Sequence, residues 1–215
     1  MSNRFDTAPE SPALDSEGHE ILFPHEREIR PVTAVKNVLL QSSLVQLERI
    51  GLYERYSARV APEVVAEIRA GLASGWSPVE LAHAHYGACD AMALSAAELA
   101  QLGKSVGDKL QETSLISAAK KTRDIRHDGW SETGALHRMW ARLYQGGSVQ
   151  VVKVGPTDKI IELRSFGLTT YRYVRHASLA VFGAANAAIG TKLQSARIVS
   201  YREARDELQI RLTWA

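Results

Sequence analysis

Leu208-Gln209-Ile210-Arg211-Leu212-Thr213-Trp214 alternates apolar and polar side chains without a break, the period of a strand with one buried and one wet face. Half-wet strands belong to antiparallel sheets. Upstream, Ala196-Arg197-Ile198-Val199-Ser200-Tyr201 offers the partner of a terminal hairpin. An earlier pair is marked by Val149, Val151 and Ile161, Leu163 on alternating positions either side of Gly155-Pro156-Thr157-Asp158, a turn composition. Between the two pairs, a helix is predicted from about Arg175 to Thr191. It is rich in small side chains, with Ala177, Ala180, Gly183, Ala184, Ala187 and Ala188, so that backbone or a flat ligand can approach it closely. Residues 146–215 therefore predict a ββαββ antiparallel sheet carrying one helix.

Before Gly146-Gly147 the spacing is helical. Val35, Val38, Leu39, Ser42, Val45 and Arg49 mark one face of a first helix, with Gly51 placed to end it. Pro62 suits the first turn of a helix carrying Val64, Val65 and Ile68. Ser77-x-x-Glu80 and Ser95-x-x-Glu98 have the spacing of capping boxes. After Gly129, Ser131 is placed to cap a helix containing His137. The fold class expected is α+β: a helical part at 33–145 packed with the ββαββ part at 146–215, together one domain of residues 33–215.

Residues 1–32 are rich in Ser, Pro, Glu and Asp and predict a flexible arm, because such a composition buries too little apolar area to offset ordering entropy. Within it, Ile21-Leu22-Phe23-Pro24 is an apolar island able to dock on the domain or on a partner. The 26 Lys and Arg nearly balance 24 Asp and Glu, and no basic cluster stands out, which argues against nucleic acid as a partner. The polar start of the chain lacks the apolar core of a signal peptide. Ala177 to Thr191, the longest uncharged apolar stretch, is too short to span a membrane. The lone Cys89 fits a reducing compartment, so a cytoplasmic location is expected.

The sequence carries no G-x-S-x-G, H-E-x-x-H, Walker or G-x-G-x-x-G motif, so no catalytic residue is assigned and a non-enzyme is expected. His85 and Cys89 stand four apart, with His83 nearby. Two legs do not complete a metal site, and none is assigned. On a helical wheel, Leu136, Met139, Trp140, Leu143 and Tyr144 share a face with His137 at its edge, from where an imidazole can reach a pocket. Trp140, Tyr144, Tyr173 and Gly183 are the expected lining of that pocket. Tyr171, Tyr173 and Arg175 stand at the entrance to the small-residue helix, where phenols and a guanidinium could bind carboxylate or phosphate.

The order of helices, His137-bearing helix, hairpin, helix and terminal hairpin resembles the heme nitric-oxide-binding superfamily, which also holds vinyl-reductase-type ligand domains and vesicle-tethering subunits. The nearest likeness is to a myxobacterial paralogue family of unknown function, from about Gly51 to Trp214. Ala135-Leu136-His137 with Ala141 and Leu143-Tyr144 resembles the segment bearing the proximal heme histidine, which implies His137 as iron ligand. Tyr171-x-Tyr173-x-Arg175 resembles the Tyr-x-Ser-x-Arg motif that holds the heme propionates, implying Tyr171 and Arg175 in that role. Tyr173 stands where that motif has serine.

Two functions follow from this reading. The first is a sensor or ligand-binding regulatory domain with an apolar or heme-like ligand between helices and sheet. The second is a protein-interaction or homodimerisation module with a side-chain-filled pocket. An enzyme using His137 as general base is the third and weakest.

Overall fold

In the computed structural model, which describes residues 13–95, 97–99, 101–102, 130, 139–188 and 192–215, the terminal alternation becomes strand β8 (Glu207–Trp214), with Leu208, Ile210 and Leu212 fully buried. Strand β8 pairs antiparallel with β7 (Leu193–Arg202) on one side and β6 (Asp158–Arg164) on the other. Beyond β6 lie β5 (Ser148–Gly155) and β1 (Glu20–Phe23), giving a five-stranded sheet of order β1-β5-β6-β8-β7. The register sets Leu163 opposite both Leu208 and Val149, and Ile161 opposite both Ile210 and Val151. One face of the sheet is thereby made apolar by the period-two pattern alone.

Helices α1 (Asn37–Arg49), α2 (Tyr53–Ser57), α3 (Pro62–Ala70) and α4 (Val79–Ala91) lie between β1 and β5 in the chain, and α5 (Arg172–Ala188) crosses from β6 to β7. The architecture is the expected α+β one, helical part first and ββαββ part second. A single cluster of buried apolar side chains runs through both parts, from Val32 and Leu40 to Ile210 and Leu212.

Several local expectations are corrected. The predicted face of α1 is only part of its story, because Leu40, Leu44 and Leu47 form its core side while Val38 and Val45 reach solvent. Gly51 does end the helix, at φ +73°, with Leu52 N–H donating to Leu47 O and Gly51 N–H to Glu48 O, the Schellman pattern. Ser77 is not a helix cap. It lies in β3 (Trp76–Pro78), and its hydroxyl donates to Asn37 Oδ1. Ser95 and Glu98 do form the reciprocal box: Ser95 N–H donates to Glu98 Oε2 at 2.7 Å and Glu98 N–H to Ser95 Oγ at 3.2 Å.

The helical part also contains a small sheet the spacing did not announce. In it β2 (Ala34–Lys36) pairs with β3 and with β4 (Tyr144–Gln145). The apolar island of the predicted arm is strand β1 on the sheet edge rather than part of a free tail. Alternation in so short a run is masked by the polar residues around it. After β1 the chain returns across Gly146 and Gly147, both at positive φ, where a Cβ on Gly146 would lie 2.3 Å from Pro31 O and one on Gly147 2.9 Å from Val32 Cγ2. Only glycine meets both demands. Helix α5 begins at Arg172, before the predicted Arg175, because its first N–H groups are capped from a distance. Asp90 of α4 accepts from Tyr173 N–H at 2.7 Å and Arg172 N–H at 3.0 Å.

Candidate ligand cavity

Between α1 and α5 lies a cavity of about 130 Å³. Helix α1 contributes Val38, Leu39, Ser42, Ser43 and Gln46, and α4 contributes Tyr86. Helix α5 supplies Tyr173, Val174, Ala177, Ser178, Val181 and Phe182, a spacing that repeats along one helix face. Met139, Trp140, Leu143, Tyr144, Phe166 and Leu168 complete the described wall. The described lining thus comes from helices, β4 and the segment following β6; the expected position was between helices and sheet, and no described lining residue lies on a strand of the large sheet.

The wall is rigid for identifiable reasons. Trp140, Tyr144 and Phe166 form a mutual aromatic trio, with ring centroids 4.4, 4.8 and 4.9 Å apart, within the favourable range for such pairs. Trp140 Nε1–H donates to Gly146 O at 3.2 Å, tying the ring to the double-glycine turn. Phe166 and Leu168 flank Gly167, whose N–H donates to Asp206 Oδ2 while Thr169 Oγ1–H donates to Asp206 Oδ1 at 2.7 Å. Asp206 itself takes a left-handed conformation in the turn before β8.

A chain of uncharged polar groups runs from the core to this wall. Tyr56 Oη and His85 Nδ1 are 2.7 Å apart, His85 Nε2 and Ser43 Oγ 2.8 Å, and Ser43 Oγ and Tyr173 Oη 2.7 Å. Cys89 Sγ lies 3.8 Å from His85 Nε2. His85 is wholly buried, and burial lowers its pKa to about 3, so the imidazole is neutral. Burial, followed by neighbouring ionisable groups, likewise pushes the Tyr173 and Tyr56 phenols and the Cys89 thiol up. Every member of the chain is therefore uncharged at neutral pH.

Of the residues singled out from the sequence, Trp140, Tyr144 and Tyr173 meet at the cavity. Gly183 is one residue past Phe182 and faces the sheet instead, where a Cβ would lie 3.4 Å from Leu193 Cδ2 and 3.9 Å from Ala196 Cβ. Tyr171 is turned to α4 and shares a hydrogen bond with His83 Nδ1 at 3.0 Å. Arg175 donates to Thr169 O at 2.6 Å and Thr170 O at 2.9 Å, with its guanidinium 4.3 Å over the Tyr201 ring. Neither Tyr171 nor Arg175 is in the described lining. His137 lies outside the described residues. Among those described, no group of three or more potential metal-binding side chains occurs, and both ring nitrogens of His85 have hydrogen-bond partners.

Sequence reasoning missed Ser42, Ser43 and Gln46, the α1 side of the cavity. A signal was present: α1 carries Val38, Leu39 and Val45 in addition to the Leu40-Leu44-Leu47 stripe, more apolar residues than one core-facing stripe needs. In the sequence His85 stands out only by its spacing to Cys89. Its pairing with Tyr56 and Ser43 spans 29 and 42 residues and leaves no local pattern.

Among the described residues, no helix is long and apolar enough to cross a membrane. No protein family matches the chain, and no curated protein matches it in sequence. Among solved structures, the chain is similar to an H-NOX protein from K. algicida, crystallised as a mutant in its Fe(II) unliganded state. The TM-score is 0.52, with 10% identity over 84% of this chain and 96% of that one. At that identity the likeness is one of architecture: helices, antiparallel sheet and crossing helix are arranged here in an H-NOX-like fold.

Proposed function

We propose that this chain is a non-enzymatic, ligand-binding regulatory domain that admits a small apolar molecule to the cavity between α1 and α5. The observation that carries this reading is the cavity itself, which the described residues wall chiefly with aromatic and aliphatic side chains and leave unfilled. Its volume is close to that of an engineered apolar cavity of about 150 Å³ that stays dry and takes benzene. The interaction-module reading needs a filled pocket, and the open one speaks for a ligand.

Heme is the ligand that the family resemblance implies, and the described residues do not fit it. A porphyrin brings two carboxylates, yet none of the described lining residues carries a positive charge. The guanidinium of Arg175, which would hold them, is engaged with two carbonyls and a ring. We therefore ally the chain with the vinyl-reductase-type ligand domains and the myxobacterial paralogues it resembles, rather than with the heme branch. Residues 33–215 act as one domain in this reading, with strand β1 added at the edge of its sheet and the buried free thiol of Cys89 suited to a reducing cytoplasm.

Two measurements test it. Benzene at about ten times its Kd should add about 1.4 kcal/mol of stability and raise Tm by about 3–6 °C, and Ala177→Leu, which fills the cavity, should abolish the rise. Absence of any rise in the natural sequence would refute the ligand reading. Hemin should give no Soret band distinct from free hemin; a shifted band lost in His137→Ala would restore the heme reading.

A further inference from the structure

We infer that the ligand is an uncharged, ring-sized molecule bearing one hydrogen-bond acceptor, and that the Tyr173 hydroxyl is the group that recognises this acceptor. This deepens the ligand-binding reading and rests on it. Both Ser43 and Tyr173 line the cavity, and the hydrogen bond between them joins its wall to the buried imidazole of His85.

Counting protons along the chain fixes the preference. Neutral His85 has one N–H. With that proton on Nδ1, His85 donates to Tyr56 Oη and Nε2 accepts from Ser43, whose oxygen accepts from Tyr173; Tyr173 then offers the cavity only a lone pair. In this arrangement the hydroxyl proton of Tyr56, a fully buried residue whose one described hydrogen bond is to His85, would have no acceptor there. A buried donor without a partner is costly. With the proton on Nε2 instead, Tyr56 donates to Nδ1, His85 donates to Ser43, and Ser43 donates to Tyr173. Each proton in the chain is then used except the last. Among the described hydrogen bonds the Tyr173 O–H then has no acceptor, and an acceptor on a molecule in the cavity is what it selects.

Charge is disfavoured on the same ground. No described lining residue supplies a countercharge, and an ion taken from water into such a site would be strongly penalised. Carbonyl compounds, ethers and aza-aromatic rings meet the requirements; carboxylates, phosphates and ammonium compounds do not.

Benzene and pyridine separate the two levels of the reading, since they share a shape and differ by one acceptor. Affinities would be measured at pH 8, where pyridine is uncharged, for the natural sequence, Tyr173→Phe and Ser43→Ala. Tyr173→Phe should weaken pyridine by about tenfold while leaving benzene within about twofold. Ser43→Ala should weaken pyridine by a smaller factor, because the phenol remains but its proton is no longer directed. If neither molecule binds the natural sequence, the ligand-binding reading itself fails. If benzene binds while pyridine does not, or while pyridine is insensitive to both substitutions, the cavity stands and acceptor recognition by Tyr173 is overturned. Should Tyr173→Phe not fold, the nitrogen-15 shift of pyridine bound to the natural sequence decides. A value like that in water signals a hydrogen bond, and one like that in hydrocarbon overturns it.

Discussion

His85, fully buried, and His25, half-buried, are both bonded at both ring nitrogens, and they sit in opposite kinds of surroundings. His85 meets only hydroxyls and, more distantly, a thiol, in the helical part of the molecule. His25, just after β1, bridges Ser148 Oγ and Glu162 Oε1, each at 2.9 Å, on the sheet face opposite Leu208 and Ile210. There Gln209 Nε2–H donates to Glu162 Oε2 at 2.6 Å, and Arg164 Nε lies 2.6 Å from Glu162 Oε1. Burial pushes the Glu162 carboxyl up, but His25, Gln209 and Arg164 together outweigh it and hold the group below the ordinary carboxylate value. Glu207, almost fully buried, lies 3.3 Å from both Arg164 and Arg202, paired in charge without hydrogen-bond geometry. The two histidines therefore mark two chemistries: ions are balanced against ions around His25 on the outer face of the sheet, while the His85 network at the cavity is built from neutral groups.

The largest effect that should distinguish the two networks is on stability. His85→Ala strands the Tyr56 hydroxyl, leaves Ser43 with Tyr173 as its described side-chain partner and opens a void, and should cost about 3 kcal/mol in chemical denaturation. His25→Ala leaves Glu162 with Gln209 and Arg164 and should cost about 1–2 kcal/mol. Equal losses would erase the contrast. Acid should act on the helical network in a recognisable window. As pH falls below the ordinary histidine value of 6.5, the unfolded chain takes up a proton that folded His85 refuses down to about 3. Stability present above pH 6.5 should thus be lost at up to about 1.4 kcal/mol per pH unit between those values, and His85→Gln should flatten that slope. An unchanged slope in His85→Gln would show that this imidazole is not held neutral. The smallest effect belongs to neither network: Ser95→Ala, removing one half of a local capping box, should cost about 0.5–1 kcal/mol.

The same contrast explains what could be read in the sequence. Period-two alternation at Leu208–Trp214 and in Val149, Val151, Ile161 and Leu163 is a local pattern enforced by one buried sheet face, so the ββαββ order was legible. Trp140, Tyr144 and Tyr173, which line the cavity, stand out in the sequence because aromatic side chains next to helix-face positions are conspicuous. Glycine is less informative, and Gly183 allows close approach of β7 rather than of a ligand. The helix cap from Asp90, the strand at Glu20–Phe23 and the Tyr56–His85–Ser43–Tyr173 chain all join residues far apart in sequence. Long-range pairings of this kind are decided by packing, and no local period encodes them.

The most direct test of the central claim is a crystal structure of the protein soaked in benzene. A planar ring should appear between α1 and α5, against Trp140 and Tyr86, with the helices in place. A cavity that remains empty while benzene occupies surface positions, or a cavity closed by its own side chains, would contradict the account.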